Sequence, residues 1–354
     1  PAAGSGKILL ILVFNVPESL RGSDKHQQTR SLAGRIKQLP FLQHCNDTAS
    51  LHRIRDDQHV LVVDRYSDTR LVPDREGVGL ARKIGVDIAC RLFAEGHSSG
   101  PWIYSSDADV TVPSAYFNAS SKMDELHTAA ALFPFRHSSS GSRQLDYCQS
   151  LYDFSLYYYV AGLRWAGSPY AFHTIGSTLL INARHYVQVR GFPRRNAAED
   201  FYLLNKLAKT GHIATLEAPV ISIKSRTSDR VPFGTGPALA GMLQMQDPAR
   251  QYLFYHPLVF TCLKELLGRI ELLWEQQRFS QTSGLTDLLI PGPEQQTDSI
   301  INPKLFRDCL QALDFEKALL HSINHGKTRR AFQKQFHHWF DGFRTLKFIH
   351  FLRD

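Results

Sequence analysis

Two aspartates one residue apart close the run Trp102-Ile103-Tyr104-Ser105-Ser106, giving Asp107-Ala108-Asp109. Carboxylates so spaced at a strand end can share a divalent cation and its diphosphate ligand, and their hard oxygens suit Mg2+ or Mn2+. A solvated acidic turn would use the same residues with no ligand at all. A second acid pair, Glu199-Asp200, opens a helical pattern after Gly191-Phe192-Pro193. Acids in a first helical turn gain from the helix dipole whatever else they do. Aimed into a cleft, one of them would serve as a general base. Asp64 ends a third candidate, the run His59 to Asp64, and a Ser67-Asp68 turn follows it. The stretch Gly77-Val78-Gly79-Leu80-Ala81-Arg82-Lys83 is a glycine-bearing loop entering a helix, where backbone amides and Arg82 suit a diphosphate or base contact. Alone, such a segment is more often a tight turn and a solvated helix face. Gly4-Ser5-Gly6-Lys7 is set aside as a phosphate loop, because Ile8 stands where Ser or Thr is required and a strand follows instead of a helix.

Elements are needed to hold these residues, and the pattern supplies them. Lys7 to Asn15, His59 to Asp64, Pro101 to Asp107, Ala129 to Phe135 and Ala218 to Ile223 read as strands. Helical spacing covers about 24–38, 79–95 and 199–210 between them. Alternation of this kind predicts an α/β domain with a largely parallel sheet, in which ligands bind at the carboxyl ends of strands. Asn15, Asp64 and Asp107 fall there. After about Met242 the character changes to Leu- and Phe-rich helical spacing over 251–277, 303–324 and 328–351. The expected division is an α/β domain over 1–241 and a helical extension over 242–354.

The order of these motifs resembles the inverting family 2 glycosyltransferases of the GT-A fold. The matching residues are Phe14-Asn15-Val16-Pro17-Glu18, Asp64 to Asp68, Gly77 to Lys83, Asp107 to Asp109, Gly191 to Pro193 and Glu199-Asp200, within about residues 7–240. The resemblance implies a mixed GT-A sheet flanked by helices, and transfer of a sugar from a nucleotide-diphospho-sugar (UDP- or GDP-linked) to the hydroxyl of a saccharide or other acceptor. It implies donor contacts from Asn15, Asp64 (nucleobase), Arg82 and Asp107, with Mn2+ or Mg2+ on Asp107 and Asp109. Asp200 would deprotonate the acceptor, with Glu199 in support. Arg226 and Arg230, in the loop where relatives close over the donor, are candidate diphosphate contacts. His173 and Gly176, in a His-Thr-x-Gly-Ser turn before a strand, are candidate acceptor contacts. Arg65 and Lys83 depart from the pattern, and residues 221–230 hold no histidine for a third metal ligand. The absence of a Gln-x-x-Arg-Trp signature argues against a processive synthase. A rival resemblance joins Asp107-x-Asp109-x-Thr111 to the nucleophile loop of haloacid-dehalogenase-like phosphatases, although about 100 residues precede it here. A non-catalytic scaffold on a decayed transferase domain is the remaining alternative; intact acids at 109, 199 and 200 speak against it.

Composition sets the outer bounds. The chain has 354 residues, 43% hydrophobic and 21% charged, so a disordered or fibrous protein is excluded. A net charge of +8 suits an anionic partner without choosing one. Five scattered cysteines, never in a C-x-x-C pair, suit reduced cytosolic thiols. No stretch reaches the roughly 18 apolar residues of a membrane span. A cytoplasmic protein follows as the expectation, with no nucleic-acid partner and no signal-peptide layout at the start. The basic end, Lys327 to Lys334 with Phe332, Phe336, Trp339 and Phe340, offers peripheral membrane contact or, more simply, a solvated helix with an apolar core face. For most of Tyr157, Tyr158, Tyr159, Trp165 and Tyr170 core packing is the expected role.

Overall fold

The computed structural model describes residues 7–228, 234–275, 285–290 and 302–353. The chain forms two compact units, Pro1–Gln149 with Thr174–Gln244 and Ser150–His173 with Met245–Asp354. The first unit is discontinuous in sequence, so the expected contiguous division does not describe it: Ser150–His173 groups with the helical part of the chain.

In chain order the first unit contains β1 (Ile8–Asn15), α1 (Asp24–Ile36), β2 (Phe41–Asn46), β3 (Ala49–Arg55), β4 (Gln58–Arg65), α2 (Gly77–Ala94), β5 (Trp102–Ser105), β6 (Val110–Thr111), β7 (Thr128–Leu132) and β8 (Phe135–Ser138). Helix α3 (Arg143–Trp165) carries the chain into the second unit. The first resumes with β9 (Leu179–Asn182), α4 (Ala183–Gln188), α5 (Glu199–Leu207), β10 (His212–Thr215), β11 (Ile221–Lys224) and α6 (Thr235–Leu243).

The strands form three sheets with orders β1-β4-β3-β2, β10-β7-β9-β5 and β6-β11-β8. Among the described residues only the β1·β4, β7·β10 and β8·β11 ladders are parallel; the other ladders are antiparallel. The sheets are therefore mixed, which corrects the expectation of a largely parallel one. The reason lies in the connections: β2, β3 and β4 follow one another through short turns that allow only antiparallel pairing. The apolar run at 129–135 is two strands, parted by Pro134, which has no N–H for a ladder.

Strand β1 lies in register with β4, so that Phe14 faces Asp64 and Asn15 faces Arg65. The run Val60–Val63 of β4 is buried, as suits a strand covered on both faces. Helix α2 supplies part of that cover, with Ile84 and Ile88 packed against Leu61, Val63 and β1 side chains. Helix α1 starts at Ser23, whose hydroxyl accepts the His26 N–H. The His26 ring in turn bridges Gly22 N–H and the Tyr66 carbonyl, tying α1 to the turn after Asp64.

The second unit comprises the latter part of α3 with α7 (Pro248–Gln251), α8 (Pro257–Glu275), α9 (Pro303–Ala312), α10 (Phe315–His325), α11 (Arg329–Trp339) and α12 (Gly342–Arg353). Its core includes Phe260, Leu263, Leu266, Phe306, Phe315, Phe332, Phe336, Phe340 and Phe348. Gly162 of α3 lies directly over the Phe260 ring, where a Cβ would come within 2.6 Å of it. Phe332, Phe336 and Phe340 are buried, so the aromatics of the basic end fill the core, while Lys327, Arg329, Arg330 and Lys334 remain exposed. Among the described residues no helix is long and apolar enough to cross a membrane. All five cysteines are free.

Candidate active site

Arg82, on the second turn of α2, is the hub of the acidic cluster. Its Nη2 donates to Asp107 Oδ1 at 2.6 Å and its Nε to Glu199 Oε1 at 2.9 Å. Its Nη1 donates to the Gly176 carbonyl at 2.9 Å and to Ser105 Oγ at 3.3 Å. The guanidinium fork thus joins the end of β5, the start of α5 and the turn before β9. The Arg82 and Glu199 side chains are 9% and 6% exposed, and Asp107 is 42% exposed. Burial alone would lower the Arg82 pKa, but Asp107, Glu199 and Asp200 outweigh it and hold the guanidinium above its ordinary value.

The acid pair is placed by a chain of close approaches. Gly79 N–H donates to the Arg195 carbonyl at 2.9 Å, and a Cβ on Gly79 would lie 2.4 Å from that oxygen and 2.5 Å from the Pro193 carbonyl. The first turn of α2 therefore contacts backbone at this glycine, which removes it from the phosphate cradle expected of the loop. Lys83 strengthens the same junction, with Nζ 3.2 Å from the Arg190 carbonyl. Gly191, at φ +69°, rests on the Tyr186 ring, and Tyr186 OH accepts the Phe192 N–H. Ala198 then takes a left-handed conformation, φ 58° and ψ 20°, immediately before α5. That conformation is costly for a residue with a Cβ, and it sets the direction in which Glu199 and Asp200 leave.

Asp200 differs from its neighbour. It accepts N–H bonds from Phe201, at 2.7 Å, and from Gly176. Part of its surface stays open, yet the surrounding protein disfavours its charge. This burial, with the Glu199 charge beside it, raises the Asp200 pKa to about 7, against the opposing pull of Arg82 and the two N–H groups. A carboxyl poised near neutrality can take a proton from a hydroxyl at ordinary pH. Gly176 is the common support: its carbonyl holds Arg82, its N–H holds Asp200, and a Cβ there would come within 2.5 Å of Arg82 Nη2.

Asp109 sits apart from that fork. Its Oδ2 accepts both Nε (2.8 Å) and Nη2 (2.7 Å) of Arg226, and its carbonyl accepts the Lys224 N–H. Asp107 and Asp109 each commit one oxygen to an arginine, leaving Asp107 Oδ2 and Asp109 Oδ1 outside those pairs. Two hard oxygens completed by ligand phosphates are within the coordination chemistry of Mg2+ or Mn2+, so the donor type fits. Among the described residues no cluster of three or more His, Cys, Asp and Glu capable of holding a metal occurs.

The other expected positions divide. Asp64 is buried, and its carboxylate is spent on the turn it begins: Oδ1 accepts Tyr66 and Ser67 N–H, and Oδ2 accepts Ser67 Oγ and Arg70 Nη1. Burial would raise its pKa, but the bonds from Ser67 and Tyr66, with the Lys37 charge, prevail and lower it. Its hydrogen-bonding capacity is largely used in closing the β4 turn, which leaves little for a nucleobase. Asn15 ends β1 in register with Arg65. His173 belongs to the helical unit, edge-on to Tyr157 at 4.8 Å; burial, aided by Arg164 and opposed by Asp153, lowers its pKa to about 4. Arg230 lies outside the described residues.

Ser105 and Tyr186 escape sequence reasoning. A serine inside a strand and a tyrosine after one carry no motif signal; only the acceptor needs of a buried guanidinium and the room left by Gly191 identify them. No protein-family model matches the chain, and no curated protein matches its sequence.

Proposed function

We propose that the protein is a GT-A-type glycosyltransferase, moving a sugar from a nucleotide-diphospho-sugar to an acceptor hydroxyl with inversion. The single observation that carries this reading is the Arg82 fork, which binds Asp107 at the end of β5 and Glu199 beside the near-neutral Asp200. A displacement at an anomeric carbon needs both halves of that arrangement: a base for the incoming oxygen, and charge control where the diphosphate departs. Asp200 takes the proton of the acceptor hydroxyl, whose oxygen forms the new bond to the anomeric carbon. The bond from that carbon to the diphosphate oxygen breaks, and the nucleoside diphosphate leaves with the electron pair. Gly176 N–H and Arg82 hold Asp200 and Glu199 in position, while Asp107 faces the leaving side. Asp107 and Asp109 would hold Mg2+ or Mn2+, which when bound neutralises charge developing on the diphosphate. Exposed cations at 327–334 would favour an anionic membrane surface, as a cytoplasmic enzyme with peripheral contact requires.

The mixed sheets flanked by helices and the short β6-β11-β8 sheet beside Asp109 are compatible with this reading. A phosphoaspartyl mechanism instead asks Asp109 to donate a proton, whereas here it accepts two guanidinium N–H groups.

The test is release of nucleoside diphosphate from a panel of UDP-, GDP-, CDP- and dTDP-sugars with pooled saccharide and lipid-linked acceptors. One donor should be consumed, and Asp200→Asn should slow turnover by about 10²–10⁴-fold while retaining nucleotide affinity. Full turnover by Asp200→Asn would refute the assignment.

A further inference from the structure

Arg226 stands where two charges compete for it. Both of its donor nitrogens converge on a single oxygen of Asp109, at 2.8 and 2.7 Å, within the range of charge-assisted bonds. The pair is not sealed in: the Arg226 side chain is 41% exposed and that of Asp109 is 25% exposed. Its backbone is anchored nearby, because Lys224 N–H donates to the Asp109 carbonyl and β11 pairs with β6 immediately after Asp109. Only side-chain rotation is needed to part the two groups. Arg82 offers the contrast, being buried with its donors shared among Asp107, Glu199, Gly176 and Ser105, and so fixed.

Resting on the proposed transferase reading, we infer that Arg226 is an exchangeable counter-ion. In the ligand-free protein it neutralises Asp109 and competes with a divalent cation for that carboxylate. When donor and cation arrive together, the cation takes Asp109 and the guanidinium turns to the diphosphate oxygens. Each charge keeps an opposite partner throughout, and no covalent bond changes. Cation alone must displace Arg226 without offering it a new partner, so it binds weakly. Cation and diphosphate together satisfy both groups and bind strongly.

The exchange predicts effects of opposite sign from one substitution, which a merely structural role would not produce. Arg226→Gln and Arg226→Lys would be titrated with Mn2+ alone, reading free Mn2+ by electron paramagnetic resonance, and with UDP or GDP in the presence of Mn2+ by calorimetry. Arg226→Gln should bind Mn2+ alone more tightly, by up to about fivefold for a partly exposed pair. It should bind the nucleoside diphosphate with Mn2+ more weakly, by about tenfold, for loss of a charged hydrogen bond. Arg226→Lys, which keeps the charge without the fork, should fall between wild type and Arg226→Gln in both. Unchanged or weaker Mn2+ binding by Arg226→Gln overturns the inference, as does failure of both proteins to bind Mn2+ alone. If nucleotide binding stays normal in those cases, the transferase reading survives and only the exchange is lost. Absence of nucleotide binding in wild type would overturn both.

Discussion

Asp200 and Glu199 are adjacent carboxylates in different circumstances, and the difference can be measured. Glu199 receives a bond from the buried Arg82 fork, whereas Asp200 holds two N–H bonds and a raised pKa of about 7. A base must be ionised to act, so kcat/KM should rise with pH up to about 7 and level off above it, and its pH profile reads the free protein's Asp200. Stability should run the other way. Between the ordinary value of 3.8 and about 7 the folded chain holds more protons at this site than the unfolded chain, so its contribution to stability falls as pH rises through that window. Asp200→Asn removes this slope, and at pH 8 should raise Tm by about 2–4 °C while slowing turnover by about 10²–10⁴-fold. Arg82→Gln should have a large opposite effect, since it leaves Glu199 buried without its guanidinium. Urea unfolding should show a loss of about 3–5 kcal/mol. The acids could be found from their spacing and their places in the chain. The use to which they are put could not: Asp64 had the same signature at a strand end as Asp107, yet its bonds turn inward to Ser67 and Arg70. Which neighbours satisfy a carboxylate is decided by tertiary approach, and spacing carries no information about it.

The elements explain why two glycines of the same helix should respond oppositely to alanine. Gly79 and Gly85 both lie in α2, where alanine is intrinsically preferred by about 0.8–1 kcal/mol. A Cβ at Gly85 would meet Val13 Cγ2 at 3.5 Å, an ordinary contact, so Gly85→Ala should stabilise the protein. At Gly79 it would lie 2.4 and 2.5 Å from two backbone carbonyl oxygens, and the segment leading to Glu199 would have to move. Overpacking of this kind costs about 1–3 kcal/mol, more than propensity returns. Gly79→Ala should therefore lower Tm, and with it kcat, because Ala198 and the acid pair follow directly. Thermal melts of the two variants side by side check the sign. Strands β1, β4, β5 and β11 and helices α2 and α5 were legible because their apolar spacing is uninterrupted. The β2–β3 hairpin was not, since β2 is exposed throughout and has no buried face to show as alternation. The helical run at 303–324 reads as one helix but breaks at Asp314, φ 56°, where the chain turns between α9 and α10.

At the scale of the molecule, the Arg82 cluster lies in the α/β unit and a separate aromatic core belongs to the helical one. Phe336→Ala should cost about 3–5 kcal/mol, because the ring is fully buried among Phe315, Trp339 and Phe340. Its loss would be seen in the unfolding of the helical unit. The change of composition near residue 242 marked that unit from sequence, but the membership of Ser150–His173 was hidden, because α3 crosses the division as one continuous helix. The central claim concerns what the α/β unit binds, and thermal unfolding with UDP, GDP, CDP and dTDP, each with and without Mn2+, tests it most directly. A ligand held only by the folded state raises the midpoint according to RT ln(1 + [L]/Kd). The account predicts a rise with one nucleotide that requires Mn2+ and disappears in Asp109→Asn. No shift with any of the four, with or without the metal, would contradict it.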